Sequence, residues 1–153
     1  MLHFAPEPIL YPLLEATDCD YKTTDFFLKD VDFPGEDIQA LNFENGVFDC
    51  VLSNHVIEQF ENDGAVLREV ERILTPGGIA VIPIPGDWKR HETVTFPDLS
   101  NNGHDRDYGL DVIGRLKEVF SKVEAIDLFD EGGSEATTLG VDPKHDLAFV
   151  CRK

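Results

Sequence analysis

Between Val47 and Pro85 the chain reads VFDCVLSNHVIEQFENDGAVLREVERILTPGGIAVIPIP. Phe48 to Ser53 is nearly all apolar, as expected of a strand covered on both faces. Asn62 or Asp63 can then cap a helix in which Val66, Leu67, Val70, Ile73 and Leu74 make one apolar stripe. Arg68, Glu69, Glu71 and Arg72 point outward from it. Thr75-Pro76-Gly77-Gly78 ends the helix, and Ile79 to Ile84 forms a second buried strand. This is one βαβ unit, with a polar elbow of Ser53, Asn54 and His55 at the carboxyl end of its first strand. In open α/β sheets that end is where ligands bind.

The rest of the chain extends this pattern without internal repeats or low-complexity stretches. Met1 to Phe4 predicts a very short strand, followed by Ala5-Pro6-Glu7-Pro8. Ile9 to Ala16 carries Ile9, Leu10, Leu13 and Leu14 at helical spacing, with Pro12 tolerable only near the first turn. Asp20 to Asp25 is a second strand, and a short third strand lies within Val31 to Ala40. Glu44-Asn45-Gly46 is a turn. Asp87 to Gly109 is a long polar loop holding His91, His104, Asp105, Arg106 and Tyr108, and a loop of that length in a small domain is usually functional or mobile.

Leu110 to Ser121 predicts another amphipathic helix, with Val112, Ile113, Leu116, Val119 and Phe120 inward and Asp111 as its cap. Val123 to Phe129 and Asp146 to Cys151 are strands, separated by an acidic, glycine-rich loop from Asp130 to Lys144. No crossover helix separates these two strands, so they pair antiparallel. The expected fold is α/β: a three-layer sandwich around a mostly parallel, doubly wound sheet with an antiparallel C-terminal edge hairpin.

The 153 residues suit one domain spanning 1–153, and 42% hydrophobic content supports a core. Thirty acidic against 13 basic residues give a net charge of −17. Such a field repels phosphate backbones, so nucleic acid is not an expected partner. The charge is explained first by solubility or adaptation to a salty habitat, and only second by attraction of a cationic substrate. Cys19, Cys50 and Cys151 are far apart and offer no metal or disulfide pattern; Cys50 and Cys151 read as small core residues. No apolar run approaches membrane length, and the expectation is a cytoplasmic protein without a membrane partner.

Phe48-Asp49-Cys50-Val51-Leu52-Ser53-Asn54-His55-Val56-Ile57-Glu58, followed by Glu71-Arg72-Ile73-Leu74-Thr75-Pro76-Gly77-Gly78, resembles the class I S-adenosylmethionine-dependent methyltransferases. The opening Leu2-His3-Phe4-Ala5-Pro6-Glu7 is similar to one subgroup in which LHFAPE replaces the usual glycine-rich loop. The resemblance runs through Phe149-Val150-Cys151-Arg152-Lys153 and implies S-adenosylmethionine as cofactor, with methyl transfer to a small-molecule or protein acceptor.

Residue by residue, the resemblance places Phe4, Ala5, Pro6 and Glu7 under the methionine part of the cofactor. Asp25 takes the ribose hydroxyls; an acid about 20 residues after the first loop is also what nucleotide folds need generally. Asp37 and Ile38 flank the adenine. Ser53, Asn54 and His55 line the methionine and sulfonium region. His55 or His104 can act as a general base where the acceptor must lose a proton early.

The sequence departs from the family pattern in three places. GxGxG is missing after the first strand, where Ala5 is small enough to substitute in part. The chain opens at that strand, without the helices that usually precede it and cover the cofactor. Gln59 stands where relatives with an HVLEH turn have histidine.

A catalytically inactive binding or assembly module of the same fold stays open beside the enzyme. An uncovered cleft and apolar sheet face would suit a partner or a second copy in a homo-oligomer. A nicotinamide-dependent dehydrogenase shares the fold class, but GxGxxG is absent. Glu58 reads as a cap or an arginine partner, and Trp88 as a packing residue or the wall of an acceptor pocket. Arg106 and Tyr108 read as exposed loop residues or acceptor contacts. No Ser/His/Asp order, phosphate loop or metal spacing stands out.

Overall fold

The computed structural model describes residues 1–96, 105–127 and 146–153. In chain order its elements are β1 (Leu2–Phe4), α1 (Tyr11–Glu15), β2 (Lys22–Asp25), β3 (Phe33–Pro34) and β4 (Phe48–Ser53). A single 3₁₀ turn, Ile57–Gln59, precedes α2 (Asp63–Ile73) and β5 (Leu74–Pro85). Then come β6 (Val94–Thr95), β7 (Arg106–Asp107), α3 (Val112–Val119), β8 (Lys122–Asp127) and β9 (Asp146–Arg152).

Among the described residues these strands form a seven-stranded sheet, β3-β2-β1-β4-β5-β9-β8, and a two-stranded sheet, β6-β7. Neighbours from β3 to β5 run parallel. β9 is antiparallel to both β5 and β8, which puts the expected hairpin at the sheet's edge. The chain leaves β1 toward β2 and β3, then returns to β4 and proceeds the other way. The gap between β1 and β4 is therefore the topological switch point, where such sheets bind ligands.

Strand register decides which side chains form the core. Leu2, Val51, Ala80 and Cys151 lie opposite one another on successive strands, and all are fully buried. They face α2 and α3, which pack against each other and on the sheet. Val66, Leu67, Val70 and Ile73 of α2 are at most 1% exposed, each contributing about 1.5–3 kcal/mol of burial. Asn62 caps α2, its Oδ1 accepting from the Ala65 N–H at 3.1 Å. The opposite face carries His3, whose ring meets Tyr21, and Tyr11 of α1 packs edge-on against Tyr21. Among the described residues α1 alone forms the third layer, and it buries none of its residues.

The structure differs from the sequence expectations at element ends. α1 starts at Tyr11 rather than Ile9, with Pro12 in its first turn, because proline interrupts a helix placed any further upstream. α2 stops at Ile73, before the expected Thr75-Pro76-Gly77-Gly78. Leu74 turns extended and already pairs with Phe48, while Ile79 pairs with Cys50. Thr75 to Gly78 is thus a bulge inside the ladder rather than a helix cap. Gly78 is required there, since a Cβ would stand 2.9 Å from the Thr75 carbonyl and 3.1 Å from that of Asp49.

α3 is shorter than expected, and Asp111 precedes it without capping it. The Asp111 carboxylate accepts instead from the Thr93 N–H and hydroxyl. The β6-β7 pair braces the described part of the long loop after β5. It also closes on the end of β5: Gly86 bridges Tyr108, and a Cβ on Gly86 would lie 2.7 Å from the Tyr108 carbonyl. The expected Asp130–Lys144 loop lies outside the described residues, as does the end of the expected Val123–Phe129 strand. No described helix is long and apolar enough to cross a membrane.

Candidate functional site

Two tight turns leave the sheet at the switch point, one after β1 and one after β4. Each places a non-glycine residue in the left-handed region: Ala5 at φ 49° and His55 at φ 50°. That backbone costs roughly 1 kcal/mol or more for a residue with a Cβ. Hydrogen bonds compensate. The Ala5 N–H reaches the Thr24 carbonyl at 3.0 Å, and the His55 N–H reaches the Pro83 carbonyl at 3.1 Å. The Gln59 amide holds the His55 carbonyl at 2.7 Å.

Above β1, β2 and β3 lies a hollow of about 320 Å³, within the range of small-molecule sites. Phe4, Ala5, Asp25, Asp37 and Ile38 line it together. Val56, Gln59 and Phe60 close it on the side of β4, with Phe26, Phe27, Glu36 and Gln39 also lining it. Three of these lining residues are acids and none is basic. The carboxylates are pre-set by their own loops. Asp25 Oδ1 accepts from the N–H groups of Phe27 and Leu28 at 2.6 and 2.7 Å. Asp37 Oδ1 accepts from the Gln39 N–H at 2.9 Å.

The remaining sequence candidates among the described residues do not line this hollow. Pro6 follows Ala5 in the loop after β1 and is half-buried. Ser53 is fully buried, its Oγ without a hydrogen-bond partner among the described residues. Asn54 Nδ2 donates to Glu7 Oε1 at 2.6 Å, and His3 Nε2 stands 2.9 Å from Glu7 Oε2. Burial acts to raise the Glu7 pKa, but the bonds from His3 and Asn54 outweigh it and hold the carboxyl below its usual range. His3 Nδ1 in turn meets the Tyr21 hydroxyl at 2.8 Å. His104 lies outside the described residues.

His55 leads away from the hollow, across β5 toward β9. Its Nε2 stands 3.1 Å from Asp146 Oδ1. The bond to Asp146 pushes the imidazole pKa up, against an opposing effect of burial, and the charges of Asp146, Glu58 and Glu7 add to the rise. Glu58 is fully buried, and burial pushes its carboxyl up to about 7.

The loop after β5 departs from both sequence readings of it. Arg106 and Tyr108 are neither exposed nor directed at the hollow; they are 4% and 0% exposed. Arg106 donates to Asp63 at 2.6 Å and to the Phe60 carbonyl at 2.8 Å, and the Tyr108 hydroxyl donates to Asp63 at 3.0 Å. Arg115 donates to the same oxygen at 3.2 Å. The cluster ties the loop to the start of α2. Trp88 packs edge-on against Phe149. Phe26, Phe27 and Asp146 were not legible as site residues. Aromatics after a strand resemble core until the turn exposes them, and Asp146 reaches His55 only through the β5–β9 pairing.

Comparison with known proteins agrees with this topology. Residues 13–82 match the family described as a methyltransferase domain. The sheet is superimposable on a Burkholderia thailandensis 1,6-didemethyltoxoflavin-N1-methyltransferase with bound 1,6-didemethyltoxoflavin and S-adenosylhomocysteine, at TM-score 0.68 and 14% identity, over 99% of this chain and 70% of that one. Residues 13–82 thus resemble a methyltransferase domain, on a fold shared with that enzyme. Two curated relatives match parts of this chain. An uncharacterized 37.1 kDa protein in transposon TN4556 of Streptomyces fradiae is 36% identical over 63 residues, covering 41% of this chain and 18% of the relative. The uncharacterized protein YafE of Escherichia coli K12 is 32% identical over 78 residues, covering 46% of this chain and 36% of the relative. The matched stretch thus spans well under half the length of either relative.

Proposed function

We propose that this methyltransferase domain binds S-adenosylmethionine in the hollow above β1, β2 and β3 and carries its methyl group to a small-molecule or protein acceptor. One observation carries the reading. Among the described residues the hollow combines apolar walls with three carboxylates and no lysine or arginine. That lining disfavours a pyrophosphate, which seeks cations or a glycine-rich helix start. It favours an adenosine that bears a cationic sulfonium.

Asp25 offers Oδ2 to the ribose hydroxyls while Oδ1 stays committed to its own loop. Asp37 accepts from the adenine amino group, and Ile38 packs on the ring. The Phe4–Glu7 loop and the Ser53–His55 elbow hold the methionine part. When bound, the cofactor supplies a methyl carbon that an acceptor lone pair takes while the carbon–sulfur pair stays on sulfur. The chain's own residues align the acceptor and exclude water. His55, or His104, takes a proton from acceptors that must lose one.

Calorimetry with S-adenosylhomocysteine tests this. Micromolar binding to the wild type and at least tenfold weaker binding to Asp25→Ala is the expected result. No heat at millimolar ligand removes the reading. Binding without turnover over a panel of amines, phenols and thiols turns it toward the inactive binding module. The same reading places the protein in the cytoplasm.

A further inference from the structure

We propose that Asp146, the first residue of β9, is the positioning residue of a His55 base, fixing which ring nitrogen receives the acceptor's proton. The inference rests on the methyl-transfer reading above and deepens it.

Three structural facts meet at His55. Its backbone is pinned on both sides, the N–H on Pro83 and the carbonyl on Gln59. Its Nε2 stands 3.1 Å from the Asp146 carboxylate, whose side chain is 4% exposed. The imidazole itself is 38% exposed, so one edge is held and the other is open. A carboxylate on one ring nitrogen keeps the proton there and leaves the other nitrogen as the acceptor. Nε2 is the held atom here, which makes Nδ1 the working one.

The placement suits the chemistry. Asp146 pairs with Pro85 at the tip of β5, and the adenosyl hollow lies over β1, β2 and β3. The His55–Asp146 link therefore lies on the far side of the elbow, where an acceptor approaches the transferable methyl group. As the acceptor's lone pair takes the methyl carbon, its proton passes to Nδ1 and then to solvent, and Asp146 balances the imidazolium formed. The charged groups facing His55 are Asp146 from β9, Glu58 from the turn after the elbow and Glu7 from the loop after β1. Among the described residues all are acids, and together they favour the protonated ring.

The test compares wild type, Asp146→Asn, Asp146→Glu and His55→Ala. NMR titration of the His55 ring in the ligand-free protein should show its pKa falling toward the ordinary imidazole value in Asp146→Asn and recovering in Asp146→Glu. S-adenosylhomocysteine binding should stay within about threefold of wild type in both. Turnover with S-adenosylmethionine and the amine and phenol panel should fall 10–100-fold in kcat for Asp146→Asn, the usual effect of losing an orienting carboxylate. KM should hold, and the acid limb of the pH profile should move to lower pH. In the His55→Ala background the Asp146→Asn change should add nothing further. An unchanged His55 titration, or an equal kcat loss without His55, overturns the role of Asp146 while leaving the methyl-transfer reading standing. Failure of the wild type to bind S-adenosylhomocysteine overturns both.

Discussion

Asn54 and Glu7 are 47 positions apart in sequence and share a 2.6 Å hydrogen bond from the amide Nδ2 to Oε1. The bond joins the turn after β1 to the elbow after β4, the two segments that frame the switch point. Both segments also carry left-handed backbone at a non-glycine residue, so their geometry depends on such ties.

Asn54→Ala should therefore loosen both turns. Hydrogen bonds to charged groups contribute about 1.5–3 kcal/mol, and a loss near the lower figure is expected because Glu7 keeps His3. Glu7 has a lowered folded pKa, so its stabilisation is present above the unfolded value of 4.5 and fades as pH falls through the folded value. The penalty of Asn54→Ala should accordingly be larger at pH 7 than at pH 3. Urea unfolding at the two pH values measures it, and an equal penalty at both would refute the charge-assisted account.

Glu58 has the opposite sign. Burial raises its carboxyl pKa to about 7. A raised folded pKa contributes stability that is complete below the unfolded value of 4.5 and is lost as pH climbs through about 7. Glu58→Gln should remove this loss, so that its stability relative to wild type improves by about 2 kcal/mol between pH 5 and pH 8. His55, also raised, acts in the same direction, and Asp146→Asn should flatten what remains. Thermal unfolding across pH 5–8 reads both changes.

The central strand, the capped helix α2 and the antiparallel edge were legible because each rests on local pattern. Phe48–Ser53 has an apolar run, Asn62 a capping oxygen, and the sequence between the last two strands no helical pattern. Phe4, Ala5, Asp25, Asp37 and Ile38 were named through the family resemblance, and they line one hollow because parallel strands bring their carboxyl ends to the same edge. What stayed hidden depends on tertiary proximity. Thr75-Pro76-Gly77-Gly78 has the composition of a helix stop, and only its pairing partner, Asp49–Cys50, makes it a bulge. Arg106 and Tyr108 read as solvated until the fold supplies Asp63, 43 and 45 positions away. The Asp146–His55 contact spans three strands and leaves no local trace.

Arg106→Met should behave as a buried-charge deletion rather than a loop substitution. Arg106 gives Asp63 its shortest partner, at 2.6 Å, and holds the Phe60 and Glu61 carbonyls. Removing one member of such a pair typically costs about 3–5 kcal/mol, and Tyr108 and Arg115 should reduce that to about 3. A urea midpoint within experimental error of wild type would show that the cluster contributes nothing net. Affinity for S-adenosylhomocysteine should change little in the folded fraction, since Arg106 does not line the hollow.

Ala5 separates the need for left-handed backbone from the need for glycine. At φ 49° a Cβ is tolerated and a β-branched side chain is not. Ala5→Gly should leave stability within about 0.5 kcal/mol, because relief of strain and added unfolded-state entropy nearly cancel. Ala5→Val should lose about 1–3 kcal/mol and crowd the hollow that Ala5 lines. Calorimetry with S-adenosylhomocysteine should then show Ala5→Gly near wild type and Ala5→Val weakened at least tenfold. Equal affinity for all three would mean that the ligand does not approach this turn.

Asp25 offers the sharpest separation of binding from folding. Its Oδ1 caps the Phe27 and Leu28 N–H groups, a task that an amide oxygen performs nearly as well. Oδ2 is the atom proposed to meet the ribose hydroxyls, and an amide nitrogen there cannot accept. Asp25→Asn should hence stay within about 1 kcal/mol of wild-type stability yet bind S-adenosylhomocysteine at least tenfold more weakly. Asp25→Ala should lose the cap as well, adding roughly 1–2 kcal/mol of destabilisation to the same loss of affinity. If Asp25→Asn binds like wild type while Asp25→Ala does not, the carboxylate serves its loop alone, and the ribose must be held by some other group at the tip of β2.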